Sequence, residues 1–196
     1  MTKDNIAEFL EVGRNFKNKT LLEAAVLKCS QEIRFMDVEM VAKIDPRLLN
    51  RILMISTSVP QNVDAPQFDS LKLSQMVANS ISRSATQMTL TLDVFRSLTT
   101  KTVLPSMDPI AAIKLLAAEN FLLNTSGKGR TSLVGDNDLQ ERCFSSIQKN
   151  WAMVHNRLSE STELSNVMRS LSSQVLFDLL MKARTLGQGT DDNIVL

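Results

Sequence analysis

The sequence predicts an all-α protein: two related helical units packed through a central helical linker. Three observations carry this prediction. Apolar residues recur at i, i+3 and i+4 through most of the chain, which is the spacing of one helix face. Asp-Pro occurs at 45–46 and again at 108–109, each time just ahead of a leucine-rich run, where the carboxylate can cap and proline suits the first helical position. The only alternating, threonine-rich stretch, around Thr89 to Leu92, has no second strand to satisfy its backbone.

The first helix starts at Asp4 as cap and carries Ile6, Phe9, Leu10 and Phe16. In "TLLEAAVLKCSQEI" Thr20 and Glu23 have capping-box spacing, and Leu22, Val26, Cys29 and Ile33 form the stripe. A short helix is expected over 37–43. "DPRLLNRILM" then turns Leu48, Leu49, Ile52 and Leu53 inward behind Asp45. These helices make a first unit over 1–56. Residues 57–70, with Pro60 and Pro66, read as a connector, and Leu73, Met76, Val77 and Ile81 predict another helix. A further helix ending near Leu98 completes a connector and linking region over 57–104. The stretch 85–98 is where helix and strand compete most closely.

"MDPIAAIKLLAAENFLL" opens the second unit, 105–186, with strong helix formers. Cys143, Phe144, Ile147, Trp151 and Val154 fall on one side of a helix through "DLQERCFSSIQKNWAMVHNRL". A short helix is expected over 162–169. Ser172 then caps a helix whose stripe is Val175, Leu176, Leu179 and Leu180, and Gly187 ends it. Residues 187–196 read as a disordered tail.

The two ends of the chain align as a repeat. Ile6, Phe9 and Phe16 match Ile113, Leu116 and Leu123. Glu23, Val26, Cys29 and Ile33 match Glu141, Phe144, Ile147 and Trp151, and Leu48 to Leu53 match Val175 to Leu180. Apolar positions match and polar ones mostly do not, as expected of a repeated packing unit. The offset grows between Leu123 and Glu141, so the glycine-rich "NTSGKGRTSLVGDND" is a lengthened connection between helices.

Composition narrows the function. With 43% hydrophobic and 22% charged residues the chain should fold into an ordered core. Lys plus Arg number 22 and Asp plus Glu 21, so no field of one sign steers the molecule onto nucleic acid or an anionic membrane. Cys29 and Cys143 both lie in apolar-periodic segments and read as buried thiols, which favours a reducing, cytoplasmic setting. "MTKDNIAEFL" has no signal pattern, although a start in helix-forming sequence also suits a fragment of a longer protein. No apolar run approaches the roughly 20 residues of a membrane helix.

Candidate chemistry is sparse. A phosphate-binding loop needs Gly-Lys-Ser/Thr after a strand, whereas Gly127, Lys128 and Gly129 are in the wrong order and follow a helix. Lys128 and Arg130 would suit an acidic partner, or a phosphorylated Ser126, Thr131 or Ser132. The single His155, one turn from Trp151, lacks a nucleophile or a set of metal ligands in any familiar motif. Glu119, Glu141 and Glu160 lack the spacing of a paired acid and base. Arg142, Lys149, Arg157 and Arg169 are interspersed with acids, unlike a nucleic-acid-reading helix. Ten methionines could line an adaptable groove.

The order "LLEAAVLKCSQEI", "DPRLLNRIL", then "LLAAENFL", "LQERCFSSIQKNW" and "LSSQVLFDLL" resembles the BACK helical region that follows BTB domains in adaptors of cullin-based ubiquitin ligases. Leu115, Leu116, Ala118 and Glu119 resemble the family's first helix, Cys143, Ile147 and Asn150 its second, and Leu176, Leu179 and Leu180 its third. The likeness covers 105–182 and, more faintly, 5–56. No BTB domain precedes it, so that domain's cullin binding and dimerisation do not carry over, and the loop from Leu123 to Asp138 exceeds the family's tight connection. The resemblance implies a non-enzymatic helical scaffold or adaptor arm that binds a protein partner and needs no cofactor and no metal. Lys128, Arg130, Met168 and Leu176 are the candidate contacts. The alternatives are a ligand-binding or catalytic helical protein using His155 and nearby carboxylates, and a helical-repeat binder of nucleic acid.

Overall fold

The computed structural model describes Thr2 and residues 5–58, 69–86, 90–125 and 137–187. Among these the chain is all-α, with no strand, and it divides into two compact units, Met1–Met107 and Asp108–Leu196.

In the first unit α1 (Ile6–Asn15) and α2 (Lys19–Glu32) form a tight hairpin, followed by a 3-10 turn over Ile33–Phe35, α3 (Val38–Val41) and α4 (Pro46–Ser58). Asn5, not Asp4, precedes α1, and Asp4 lies outside the described residues. The cap of α2 also differs from the capping box expected at Thr20 and Glu23. Asn18 accepts the Leu21 N–H at 3.0 Å, so the helix begins earlier and Glu23 is free to reach another helix. Asp45 behaves as the sequence predicts, accepting the Arg47 N–H at 2.9 Å ahead of Pro46.

The stripes become the core. Ile6, Leu10, Val26, Cys29, Ile33, Leu49, Ile52 and Leu53 are buried, while Leu48 is only half-buried. Phe16 lies past the end of α1 and is 79% exposed, outside the stripe its spacing suggests. α5 (Ser70–Thr86) buries Leu73, Met76, Val77 and Ile81. It packs on α3 and α4, and Ser80 donates its hydroxyl to the buried Ile44 carbonyl at 2.8 Å. Of the contested stretch 85–98, residues 87–89 lie outside the described residues; α5 ends at Thr86 and α6 runs over Leu92–Thr99, where Phe95 and Leu98 are buried. α6 packs on α4.

In the second unit α7 (Pro109–Thr125) follows Asp108, whose carboxylate accepts the N–H groups of Ile110 and Ala111 at 2.9 and 3.0 Å. α7 is buried on nearly every side, from Ala111 and Ala112 through Leu115, Leu116 and Leu122. α8 (Asn137–Lys149) buries Leu139, Cys143, Phe144 and Ile147. The single helix expected through Trp151 is instead broken at Asn150, whose φ of −120° and ψ of 24° leave helical geometry. α9 (Trp151–Glu160) starts there, with Val154 buried and Trp151 half-buried. α10 (Thr162–Arg169) is capped by Ser161, which accepts the Leu164 N–H at 3.2 Å. α11 (Ser173–Gly187) is capped by Ser172, which accepts the Val175 N–H at 3.3 Å.

Packing order runs in parallel in the two units. α1 lies on α2 and α2 on α4, as α7 lies on α8 and α8 on α11. The remaining contacts differ, since α10 returns to α7 whereas α3 turns to α5.

Candidate interaction surfaces

Of the four residues the sequence offers as partner contacts, Lys128 and Arg130 lie outside the described residues. Met168 is half-buried on α10, which packs on α7 and α9, and Leu176 is half-buried on α11, which packs on α8. They stand on different helices of the second unit.

The more exposed apolar side chains next to Leu176 are Phe177, at 57%, and Met181, at 45%. Four residues apart on one helix, they lie on one face, one turn from each other. Leu179, on the opposite side, is buried. α11 therefore turns Leu179 to the unit and leaves an aromatic and a thioether side chain in water.

The first unit has a second apolar surface that sequence spacing missed. On α2, Ala25, Val26 and Cys29 are buried, whereas Ala24 and Leu27 on the other side are exposed. Met54 on α4 is exposed as well.

Groups that could do chemistry are scattered or inert. Burial pushes the Cys29 thiol up to about 12, and its S–H donates to the Met36 Sδ at 3.7 Å. Burial pushes Cys143 further up; the Glu119 carboxylate adds to this and Arg142 opposes it. Neither thiol is a nucleophile at neutral pH. Glu119 is itself buried and accepts from Gln140 Nε2 at 3.1 Å, a bond that fastens α7 to α8. His155 is exposed on α9. No group of three or more His, Cys, Asp or Glu among the described residues is placed to hold a metal ion.

A cleft of about 280 Å³ opens in the first unit between α1, the 42–45 corner and the end of α5. Leu10, Ala42 and Ile44 make its apolar floor, and Arg14, Lys43 and Arg83 share its rim with Glu11 and Asp45. Arg14 is paired with Asp45 at 3.2 Å. The size lies just under that of ordinary small-molecule sites, roughly 300–1,000 Å³. His155 is not among the lining residues.

No helix among the described residues is long and apolar enough to cross a membrane. Compared with family models, with curated proteins and with solved structures, the chain matches none of them.

Proposed function

We propose that the chain is a protein-interaction module, a helical adaptor arm that presents α11 to a partner protein. The observation that carries this reading is the pair Phe177 and Met181, one turn apart and both about half-exposed on a helix whose Leu179, on the other side, is buried. Aromatic and methionine side chains are enriched where proteins meet, and leaving two of them in water has a cost that a bound partner removes. The parallel packing order of the two units supports an arm built by repetition. Association with a ubiquitin ligase is the version of this reading that the BACK-like helix order favours.

Affinity capture from cell extract with the wild-type chain and with a Phe177→Asp/Met181→Asp variant tests it. Because both side chains are exposed, the variant should keep its far-UV circular dichroism and melting temperature. A protein retained in stoichiometric amount by the wild type and lost by the variant is the expected result. Recovery of ubiquitin-ligase subunits would identify the setting. Equal retention by both proteins would overturn the role of α11.

A further inference from the structure

On the outer side of the first unit, Glu23 of α2 is paired with Arg51 of α4. One turn either side of Glu23 on the same face of α2 stand Lys19 and Leu27. One turn either side of Arg51 on α4 stand Arg47 and Met54. Leu27 is 53% exposed and Met54 62%, and Lys19 and Arg47 are also exposed.

The charges on this face are unbalanced. Lys19, Arg47 and Arg51 share this face with one carboxylate, Glu23, which is paired with Arg51 and is held below the usual carboxylate range by the Arg51 hydrogen bond first and by the charges of Arg51 and Lys19 less. Among the described residues neither Lys19 nor Arg47 is paired with a carboxylate. The nearest further charges on α2, Lys28 and Glu32, neutralise each other at 2.8 Å. The face thus has an ion pair at its centre, two exposed cations in no carboxylate salt bridge among the described residues and two exposed apolar side chains, all within one turn of that pair.

We propose that the α2/α4 face docks an acidic amphipathic helix of a partner protein, with carboxylates opposite Lys19 and Arg47 and apolar residues on Leu27 and Met54. A helix is the fitting form because an amphipathic helix carries acidic and apolar residues along one face, as the cations and apolar side chains lie along this one. Lys19 and Leu27 are eight residues apart and Arg47 and Met54 seven, about two turns, over which a helix returns to the same face. An anionic membrane is the weaker fit: two unpaired cations and two apolar side chains fall short of the dense Lys/Arg face and broad apolar face of a membrane-surface helix.

This inference rests on the interaction-module reading but uses a different face. The probe is a fluorescein-labelled helical peptide of about 18 residues, long enough to form several turns, with Glu and Leu at i, i+3 and i+4 spacing. Its counterpart has Lys in place of every Glu. Expected are saturable binding of the acidic peptide only, weaker at high salt, and NMR shift changes confined to α2 and α4 of the nitrogen-15-labelled chain. Arg47→Glu should weaken binding about tenfold or more, Leu27→Ser should also weaken it, and Phe177→Asp should leave it unchanged. All three sites are exposed, and circular dichroism checks that each variant is folded. No binding, equal binding of the basic peptide, shifts mapping elsewhere, or preferential binding to phosphatidylserine vesicles would each overturn the proposal. Overturned here, with capture through Phe177 intact, it leaves the adaptor reading standing; loss of both removes both.

Discussion

Gly13 of α1 lies directly against the backbone of Leu22 in α2: a Cβ at Gly13 would sit 3.0 Å from both the Cα and the N of Leu22. This close approach sets the hairpin that begins the first unit. In a solvent-facing helix, Gly→Ala stabilises by about 1 kcal/mol through helix propensity. Here the atoms in the way are main chain of a packed helix and cannot swing aside, so overpacking, roughly 1–3 kcal/mol, outweighs that gain. Gly13→Ala should lower the urea midpoint, and a rise would show that the two helices separate easily.

The Glu23–Arg51 pair joins α2 to α4 in water, with both side chains nearly half-exposed. The Arg51 hydrogen bond is the largest influence on the Glu23 carboxyl and outweighs desolvation, which comes next and opposes it; the charges of Arg51 and then Lys19 add to the hydrogen bond, so the carboxyl lies below its usual range. A carboxylate depressed in the fold adds stability at neutral pH that disappears as pH falls through its folded pKa. Glu23→Gln should therefore be slightly less stable than wild type at pH 7 in low salt. The difference should vanish in acid and shrink in 1 M salt. Denaturation at several pH values, with carbon-13 titration of Glu23 in wild type and Arg51→Gln, measures both parts.

Cys29 and Cys143 predict the alkaline behaviour. Both thiols are raised by burial, so the folded chain holds their protons more tightly than the unfolded chain does. That stability is fully present below the unfolded thiol pKa of about 8.5 and is lost as pH rises toward the folded values. By about pH 10.5 the loss should be on the order of 2–3 kcal/mol per thiol. The chain has no tyrosine, so lysines are the main other groups to titrate there, and a Cys29→Ala/Cys143→Ala variant separates the two contributions. The variant should lose less stability than wild type between pH 8.5 and about 10.5. In the native protein at neutral pH, both thiols should resist a disulfide reagent that reacts at once after denaturation.

These residues also show what was legible in the sequence. Asp45 and Asp108 could be read because a cap is local: carboxylate and recipient N–H are two or three residues apart. The buried stripes of α2, α4 and α8 could be read because they repeat. The break at Asn150 could not, since apolar spacing continues through Trp151 and the interruption lies in one residue's backbone angles. Nor could the exposure of Leu27, Met54, Phe177 and Met181, because a helix's own sequence does not say how many of its sides neighbours cover. Leu176 has a place in the apolar stripe, yet its neighbour Phe177 faces water, one position and about 100° around the helix. Glu23 has the spacing of a cap and is an interhelical partner, a role set by a residue 28 positions away.

Two buried serines give the sharpest contrast between local and long-range bonding. The Ser30 hydroxyl donates to the Leu27 carbonyl of its own helix at 2.7 Å. The Ser80 hydroxyl donates to the Ile44 carbonyl, 36 residues away, at 2.8 Å, fastening α5 to the 42–45 corner that floors the cleft. Removing the first costs little, because alanine favours the helix by a few tenths of a kcal/mol and the Leu27 carbonyl lies within a regular helix. Removing the second takes a donor from a buried carbonyl outside any helix, at about 1–3 kcal/mol. Ser80→Ala should thus lower the melting temperature by several degrees and speed amide exchange in α3 and at the start of α4, while Ser30→Ala should stay within about 0.5 kcal/mol of wild type. Equal effects would mean that the corner is held by its apolar contacts, Ile44 and Val41, and not by the hydroxyl.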